Sequence, residues 1–267
     1  IAMTANNSAS SDSNSKESSA KVVCITGASK RIGAGIAELF HQQGFNIIIH
    51  YNSSSKEALE LIEKFNQQRT NSACTVDADL CDSSQLEKLA ADILEKFGRL
   101  DVLVNNASRY YPTKFGKVDQ QQWDDLIDSN LRGAFFLSQS LSEELGRRHG
   151  SIINMVDTHA DKALGNHSVY CIAKAGLKAM TRSLALDLAP SVRVNAVSPG
   201  AILWSESLEN SEDSDAQEQR ARIISKIPAG RLGEISEIAA TVFFLAISAN
   251  YVTGITIKVD GGRSLGL

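Results

Sequence analysis

Short, β-branched runs alternate with longer helical segments along most of the chain, and this alternation is the feature that most constrains its fold. Runs such as KVVCIT (21–26) and NIIIHY (46–51) are apolar almost throughout. They lack the regular alternation of apolar and polar residues that is typical of a strand with one solvent-exposed face. Strands that are apolar on both faces and separated by helices form a parallel sheet covered on both sides. The sequence therefore predicts an α/β fold.

Seven such strands are predicted, and no linker interrupts them. The predicted strands are 21–26, 46–51, 72–79, 100–107, 150–156, 192–198 and 255–260. The predicted helices include 31–43, 56–68, 85–97 and 121–147, and residues 204–250 are mostly helical. We therefore expect residues 21–267 to form a single doubly wound Rossmann-type domain, with a seven-stranded parallel sheet flanked by helices on both faces. Ligands of such sheets bind at the carboxyl ends of the strands.

Residues 1–20 differ in composition from the rest of the chain. Serine, asparagine, alanine and threonine dominate this segment, which has almost no large apolar residue. Such a segment cannot bury enough apolar surface to offset the entropy lost on ordering, so we expect a disordered tail. The tail has neither the apolar core of a signal peptide nor the arginine-rich character of a transit peptide. Ile1 and Ala2, which precede Met3, are interpreted as residues left by cloning.

Composition argues against several classes of function. The net charge of −4 is opposite in sign to that of a typical nucleic-acid-binding domain. No apolar run approaches the roughly 18–20 residues that cross a bilayer, so we expect no membrane partner. The four cysteines form no C-x-x-C pair, and the five histidines show no metal-ligand spacing. The sequence predicts a cytoplasmic protein with free thiols and no metal site.

Three side chains suggest proton-transfer chemistry. Tyr170 and Lys174 are four residues apart, so they share one face of a helix, and Asp157 lies shortly before them in the sequence. A lysine ammonium beside a phenol favours the phenolate, so the sequence predicts a lowered pKa for Tyr170. The Tyr-x-x-x-Lys spacing is weak by itself, because surface helices produce it by chance.

A glycine-bearing turn, TGASKRIG (26–33), joins the first predicted strand to the first helix. Glycines permit a tight turn, and the N-terminus of a helix offers unpaired N–H groups to a phosphate. The second strand ends in His50-Tyr51-Asn52-Ser53 without the acid that binds the ribose diol of NAD. Lys30, Arg31, His50, Asn52 and Ser53 can instead surround a 2′-phosphate, which favours NADP(H). Packing at the end of the strand is the alternative role for His50 and Tyr51.

These motifs, with NNA (105–107), Asn130, Pro199-Gly200 and the VTG…VDGG run at 252–262, resemble the short-chain dehydrogenase/reductase family over residues 21–267. The resemblance implies that Tyr170 is the acid, that Lys174 holds the nicotinamide ribose and that Asn130 supports a water relay to Lys174. With Asp157, these are the predicted catalytic residues. The predicted cofactor-binding residues are Gly27, Lys30, Arg31, Ile32, Gly33, His50, Tyr51, Asn52, Ser53, Asp79, Leu80, Asn105, Ala107, Ser108, Tyr170, Lys174, Pro199 and Gly200.

Two departures from the family pattern point to a particular substrate. Asp157 stands where most members have a serine, and Arg31 replaces the third glycine of the first turn. A carboxylate is a poor partner for a ketone oxygen that becomes more negative, but a good partner for a protonated nitrogen. With TGASKRIG and NNASRYYP, these residues resemble the pteridine and dihydromonapterin reductases. The resemblance implies a pterin site formed by Arg31, Ser108, Tyr110, Asp157 and Tyr170. Trp204, just after the Pro199-Gly200 turn, is a candidate lid residue of this site, and packing on the domain is its alternative role. A simple serine replacement in which Asp157 pairs with Lys162 is the structural alternative.

The predicted function is NADPH-dependent reduction of dihydropterins to tetrahydropterins, with oxidised pterins and dihydrofolate as further substrates. The alternative is a short-chain carbonyl reductase, such as a 3-oxoacyl-thioester or sugar reductase. A catalytically silent dinucleotide-binding regulator is a third hypothesis, which the intact Tyr170, Lys174 and Asn130 set disfavours. The family resemblance also implies a homotetramer, formed by the apolar faces of 131–141 and 172–188. Arg263, in the C-terminal segment, is expected near the site of a neighbouring subunit.

Overall fold

The computed structural model describes residues 19–204, 206–209, 211 and 213–266, so most of the predicted tail lies outside the described residues. The strands are β1 (Val22–Ile25), β2 (Asn46–Tyr51), β3 (Ala73–Asp77), β4 (Val102–Asn105), β5 (Ser151–Met155), β6 (Arg193–Pro199) and β7 (Thr256–Val259). The helices are α1 (Arg31–Gln42), α2 (Ser55–Gln68), α3 (Ser83–Phe97), α4 (Gln120–Ile127), α5 (Gly133–Arg147), α6 (Ser168–Asp187), α7 (Glu206–Glu209), α8 (Ser214–Ile224) and α9 (Ile235–Phe243).

The strands form one sheet in the order β3-β2-β1-β4-β5-β6-β7, and every neighbouring pair is parallel. The order reverses between β1 and β4, because the chain first builds outwards through β2 and β3 and then returns to the other side of β1. This reversal is the place where doubly wound sheets bind ligands. The predicted fold class, a single Rossmann-type α/β domain, is confirmed.

Helices cover both faces of the sheet, which explains why the strands are apolar on both sides. On one face, Phe40 of α1 and Val242 of α9 pack with side chains such as Ile25 and Ile49 of the sheet. On the other face, α3 and α5 contribute residues such as Ile93 and Leu141 to a second core. These two cores fix the strand ends, and with them the loops that carry the polar residues.

The predicted helix over 121–147 is interrupted, which the sequence pattern did not indicate. A π-helical turn, Asp128–Arg132, separates α4 from α5 and contains Asn130. Such turns release backbone groups from the regular helical pattern and are frequent at functional sites. Most strands are one to several residues shorter than predicted, because their flanking residues belong to the loops at the sheet edge. The helix α3 begins at Ser83, two residues before its predicted start, because the Asp82 side chain accepts from the Ser84 N–H as the N-cap.

Two properties of the described residues bear on the class of protein. No described helix combines the length and the apolar character needed to cross a bilayer. Among the same residues, no group of three or more His, Cys, Asp or Glu side chains is placed to hold a metal ion.

Candidate active site

The loops that follow β1 and β4 are held together by direct hydrogen bonds. The Thr26 hydroxyl accepts from the backbone N–H groups of Asn106 (2.9 Å) and Ala107 (3.0 Å). The Asn106 amide donates to the carbonyl groups of Thr26 (2.9 Å) and Gly27 (3.0 Å). Gly27 has a φ of +61°, and a Cβ on it would lie 2.9 Å from the Cα of Ala107. Glycine is therefore required here both by conformation and by space.

A first cavity of about 380 Å³ lies at the reversal of strand order. Its lining comes from the turn before α1, the ends of β2 and β3 and the loop after β4. The predicted cofactor residues that line it are Gly27, Lys30, Arg31, Ile32, Gly33, His50, Tyr51, Asn52, Ser53, Asp79, Leu80, Ala107 and Ser108. No side chain caps the first turn of α1 in the described structure. The uncapped N–H groups and the adjacent cations Lys30 and Arg31 suit an anionic group such as a phosphate.

Arg31 adopts a left-handed backbone conformation, with a φ of +57°. This conformation costs a non-glycine residue about 1–2 kcal/mol. The glycine that the family resemblance implies at this position would adopt the same conformation without that cost. Arg31 lines the first cavity and also a second one. Its side chain is therefore placed to contact ligands in both.

His50 is buried at the end of β2, and both of its ring nitrogens have backbone partners. The Gly27 N–H donates to Nδ1 at 3.3 Å, and Nε2 lies 3.1 Å from the Ala78 carbonyl oxygen. Burial lowers the pKa of His50 to about 4, so the imidazole is neutral near pH 7. His50 contributes no positive charge to a phosphate site, and instead fixes the glycine turn to β2 and β3.

The second cavity, of about 480 Å³, contains the predicted proton-transfer residues. It shares Arg31, Ile32, Asn106 and Ser108 with the first cavity, so the two adjoin. The predicted residues that line it are Arg31, Ile32, Ser108, Tyr110, Asp157, Tyr170, Lys174, Pro199, Gly200 and Trp204. A ligand can therefore extend from the glycine turn to Tyr170.

Tyr170 and Asp157 form a direct hydrogen bond. Tyr170 lies on α6 and is only 4% exposed, and its hydroxyl donates to Asp157 Oδ2 at 2.8 Å. Asp157 also accepts the His159 N–H at 2.8 Å through Oδ1, as the N-cap of a short 3₁₀ turn, Thr158–Ala160. The predicted alternative in which Asp157 pairs with Lys162 is not what the structure shows, because Lys162 Nζ donates to the Gly266 carbonyl.

The sequence-based prediction of a lowered tyrosine pKa is wrong for this structure. Burial, followed by the charge and the hydrogen bond of Asp157, raises the pKa of Tyr170 far above its ordinary value. Lys174 Nζ lies 5.8 Å from the centroid of the tyrosine ring and donates to the Met155 carbonyl at 2.9 Å. Burial lowers the pKa of Lys174 to about 8. The phenol is therefore protonated at neutral pH and can act as an acid.

The two predicted asparagines lie in different surroundings. Asn105 is buried in the sheet, where its amide donates to Ser138 (3.0 Å) and Asn154 (2.8 Å), and it lines neither cavity. The prediction that Asn105 lines a cofactor channel is therefore corrected to its neighbour Asn106. The Asn130 side chain accepts from the Ser108 hydroxyl at 2.6 Å and donates to the Arg109 carbonyl at 2.9 Å. These bonds anchor the loop after β4.

Two residues of that loop have defined partners. The Tyr110 ring stacks on His167 at 4.8 Å between centroids and meets the Tyr170 ring edge-to-face at 4.9 Å. One face of Tyr110 is thus already covered, although 56% of the residue is exposed. The Arg109 guanidinium pairs with Asp125 and lies 3.6 Å from Asp79. Arg109 also lines the first cavity, and these two carboxylates hold it there.

Several lining residues were missed by the sequence reasoning. Asn106 directly follows the last residue of β4, and this position at the carboxyl edge of the sheet is the signal that could have identified it. Gln219, Ile223 and Arg263 line the second cavity, but they come from α8 and the C-terminal segment, far away in sequence. Arg263 thus lies at the site of its own chain, and its expected approach to the site of a neighbouring subunit stays a prediction.

Comparisons with known proteins agree with this architecture. A family model described as enoyl-(acyl carrier protein) reductase matches residues 27–264. The 3-oxoacyl-[acyl-carrier-protein] reductase FabG of Staphylococcus aureus strain Mu50 is 35% identical over 247 residues, which is 91% of this chain and 97% of that protein. The protein of the same name from Staphylococcus epidermidis is 35% identical over 247 residues, which is 91% of this chain and 98% of that protein.

These relatives overturn the predicted pteridine reductase. Their names specify a 3-oxoacyl substrate, in agreement with the alternative prediction. The pterin prediction depended on Asp157 and Arg31, whereas the likeness to the reductases extends over nearly the whole chain. In the structure the Asp157 carboxylate accepts from the Tyr170 hydroxyl and the His159 N–H of its own chain.

The matched region includes the glycine turn, all of the sheet after β1 and both residues of the Tyr-x-x-x-Lys pair. The strand order places these motifs at one edge of the sheet, as the sequence resemblance implied. This agreement of topology, motifs and full-length similarity shows that the chain belongs to the short-chain dehydrogenase/reductase family of oxidoreductases.

Proposed function

We propose that this chain is an NADPH-dependent reductase that converts the 3-oxo group of an acyl thioester into a 3-hydroxy group. The observation that carries the reaction type is Tyr170, a buried and protonated acid in a cavity that adjoins a phosphate-type turn. The substrate class is supported by the names of the relatives, which are 35% identical.

The first cavity suits the nucleotide portion of NADPH, which when bound supplies the hydride that adds to the carbonyl carbon. The first turn of α1 has no side-chain cap, and its residues Arg31, Ile32 and Gly33 line the cavity together with Lys30. Both cations can bind a 2′-phosphate, and the end of β2 has no acid that would repel it. Tyr51, Asn52 and Ser53 supply further polar groups, while the neutral His50 holds the glycine turn in place.

In the second cavity, Tyr170 donates its proton to the substrate oxygen as that oxygen becomes negative. To do so, the Tyr170 hydroxyl breaks its hydrogen bond to Asp157 and donates to the substrate oxygen instead. Lys174 is mostly cationic near neutral pH and stabilises the phenolate that remains. Arg31, Ser108, Tyr110 and Trp204 border the same space and are proposed to contact the substrate. Asn130 positions Ser108 through their 2.6 Å hydrogen bond, and its predicted relay to Lys174 remains part of the proposal.

We also propose that the chain assembles into homotetramers. Phe135 and Phe136 of α5 and Ile172 and Leu186 of α6 are large apolar side chains that are between 38% and 81% exposed. Such surfaces are typical of contacts between proteins. The molar mass in solution, measured by light scattering, tests this assembly, and a purely monomeric mass contradicts it.

The proposed reaction predicts that acetoacetyl thioesters are reduced at the expense of NADPH. We expect turnover with NADPH to exceed turnover with NADH, because only NADPH has the 2′-phosphate that Lys30 and Arg31 are proposed to bind. The measurement follows the loss of NADPH absorbance and identifies the 3-hydroxyacyl product by mass spectrometry. A simple cyclic ketone serves as the comparison substrate. Reduction of the ketone without any reduction of the thioester would contradict the proposed thioester substrate. The chain would then be a carbonyl reductase with a different substrate.

A further inference from the structure

A groove between α8 and the C-terminal segment extends the second cavity outwards. Gln219, Ile223 and Arg263 line both spaces. The other residues that line the groove are all charged, and they are Asp215, Glu218, Arg222 and Lys226. A long substrate whose reacting carbonyl lies at Tyr170 can therefore continue along α8 into this groove.

The charges of the groove are separated along the helix. Asp215 lies in the first turn of α8 and Arg222 in the last, with Lys226 just beyond it. At 1.5 Å per residue, the carboxylates of Asp215 and Glu218 precede Arg222 by about 10 Å and about 6 Å along the axis. Arg222 complements the helix dipole at this end, and Lys226 lies two residues beyond the last residue of the helix. The C-terminal end of α8 thus carries a cationic cluster, which consists of Arg222, Lys226 and Arg263.

The backbone around Arg263 is fixed against this end of α8. The Asp260 carboxylate accepts the N–H groups of Gly262 (3.0 Å) and Ser264 (2.8 Å), which closes a tight turn around Arg263. The Ala229 N–H, in the segment after α8, donates to the Gly261 carbonyl at 3.0 Å. The end of the C-terminal segment is held by Lys162, whose Nζ donates to the Gly266 carbonyl at 2.6 Å. Arg263 is therefore presented by an ordered turn.

The members of the cationic cluster differ from nearby basic residues in lacking partners. Arg231 pairs with Glu237 at 2.7 Å, and Lys258 pairs with Asp161 at 3.2 Å. Within the described part of the chain, the side chains of Arg222, Lys226 and Arg263 make no hydrogen bond or ion pair. Unpaired cations that converge beside a cavity are suited to bind an anion, and guanidinium groups bind phosphate in particular.

We propose that the cationic cluster binds the phosphate of a phosphopantetheine arm that carries the acyl thioester. This inference rests on the proposed function, and it specifies the substrate as a thioester on a phosphorylated arm. The arm is long and flexible, so the thioester can reach Tyr170 while its phosphate stays at the end of α8. The same phosphate occurs in coenzyme A and on carrier proteins, and either source has the chemistry that this cluster recognises.

The test compares acetoacetyl thioesters of pantetheine and of 4′-phosphopantetheine, which differ only in the phosphate. We expect the wild type to have the higher kcat/KM with the phosphorylated substrate. In the Arg222→Ala/Lys226→Ala variant the ratio of the two kcat/KM values should fall about tenfold, since each exposed ion pair contributes modestly. The ratio should also fall at high ionic strength. Arg182→Ala, at an exposed arginine of α6, is the matched control and should retain the wild-type ratio.

Each outcome has a definite meaning. Equal kcat/KM values for the two thioesters in the wild type, or a ratio unchanged in the double variant, would overturn the inference and leave the proposed reaction intact. Absence of turnover with both thioesters would overturn the proposed reaction itself. Acetoacetyl-coenzyme A and an acetoacetyl carrier protein then distinguish the sources. The carrier protein is the source of the phosphate if its kcat/KM exceeds that of the free phosphopantetheine thioester and falls in the double variant.

Discussion

Replacement of Tyr170 by phenylalanine should lower kcat for thioester reduction by about 10²–10⁴-fold, the usual contribution of a general acid. The hydroxyl of Tyr170 is the proton donor proposed for the substrate oxygen, and it is held 2.8 Å from Asp157 in a buried position. Phenylalanine keeps the ring that packs edge-to-face against Tyr110. The change therefore removes the proton with little change in packing.

The Tyr170→Phe experiment needs two readouts. NADPH affinity, measured by fluorescence titration, should stay within a few-fold of wild type, because most of the cofactor contacts are proposed for the first cavity. Tyr251→Phe is a suitable control, since Tyr251 is fully exposed and lies in neither cavity. Turnover close to wild type in the Tyr170→Phe variant would show that another group supplies the proton.

The fold was predictable because hydrophobic burial leaves a direct pattern in the sequence. The parallel strands are buried on both faces and read as continuous apolar runs, as in Ile47–Ile49 and Val22–Ile25. Polar residues that follow such runs necessarily come to the same edge of the sheet. The sequence alone therefore assigns Tyr170, Asp157 and the glycine turn to one region.

Other features depended on contacts between distant parts of the chain. The pKa of Tyr170 is set by burial and by Asp157, and a helical spacing to Lys174 gives no measure of either effect. Whether Asn105 or Asn106 faces the cavity is decided by where β4 ends, and strand ends are the least predictable feature of a sequence. Arg263 reaches the second cavity only because the segment after β7 folds back on α8. Local sequence patterns contain no information on such an approach.

Asp157→Ser should increase the rate of ketone reduction, by about tenfold or more. In the wild type a carboxylate lies beside the oxygen that becomes negative during hydride addition, and this arrangement opposes the charge that develops. A serine hydroxyl can donate a hydrogen bond to the same oxygen, and one such donor in an active site can be worth 10²–10³-fold in rate. The measurement is kcat with an acetoacetyl thioester under saturating NADPH.

The same substitution should change the pH dependence of the reaction in a defined direction. Asp157 raises the pKa of Tyr170 by its charge and by accepting the phenol proton, so its removal lowers that pKa. Reduction requires a cationic Lys174 as well as the protonated phenol, and the charge of Asp157 also raises the pKa of Lys174, which is about 8. Activity is therefore lost as the pH rises through the lower of the two pKa values, that of Lys174. We expect the alkaline decline in kcat to occur at lower pH in Asp157→Ser than in the wild type.

Asp161→Ser separates these effects from a general loss of negative charge near α6. Asp161 pairs with Lys178 and Lys258 and lines neither cavity, so its replacement should leave both the rate and the alkaline limb unchanged. A fall in kcat for Asp157→Ser as large as that for Tyr170→Phe would contradict the repulsion argument. The carboxylate would then take part in proton transfer, and the substrate atom that it faces would have to carry a proton instead of a developing negative charge.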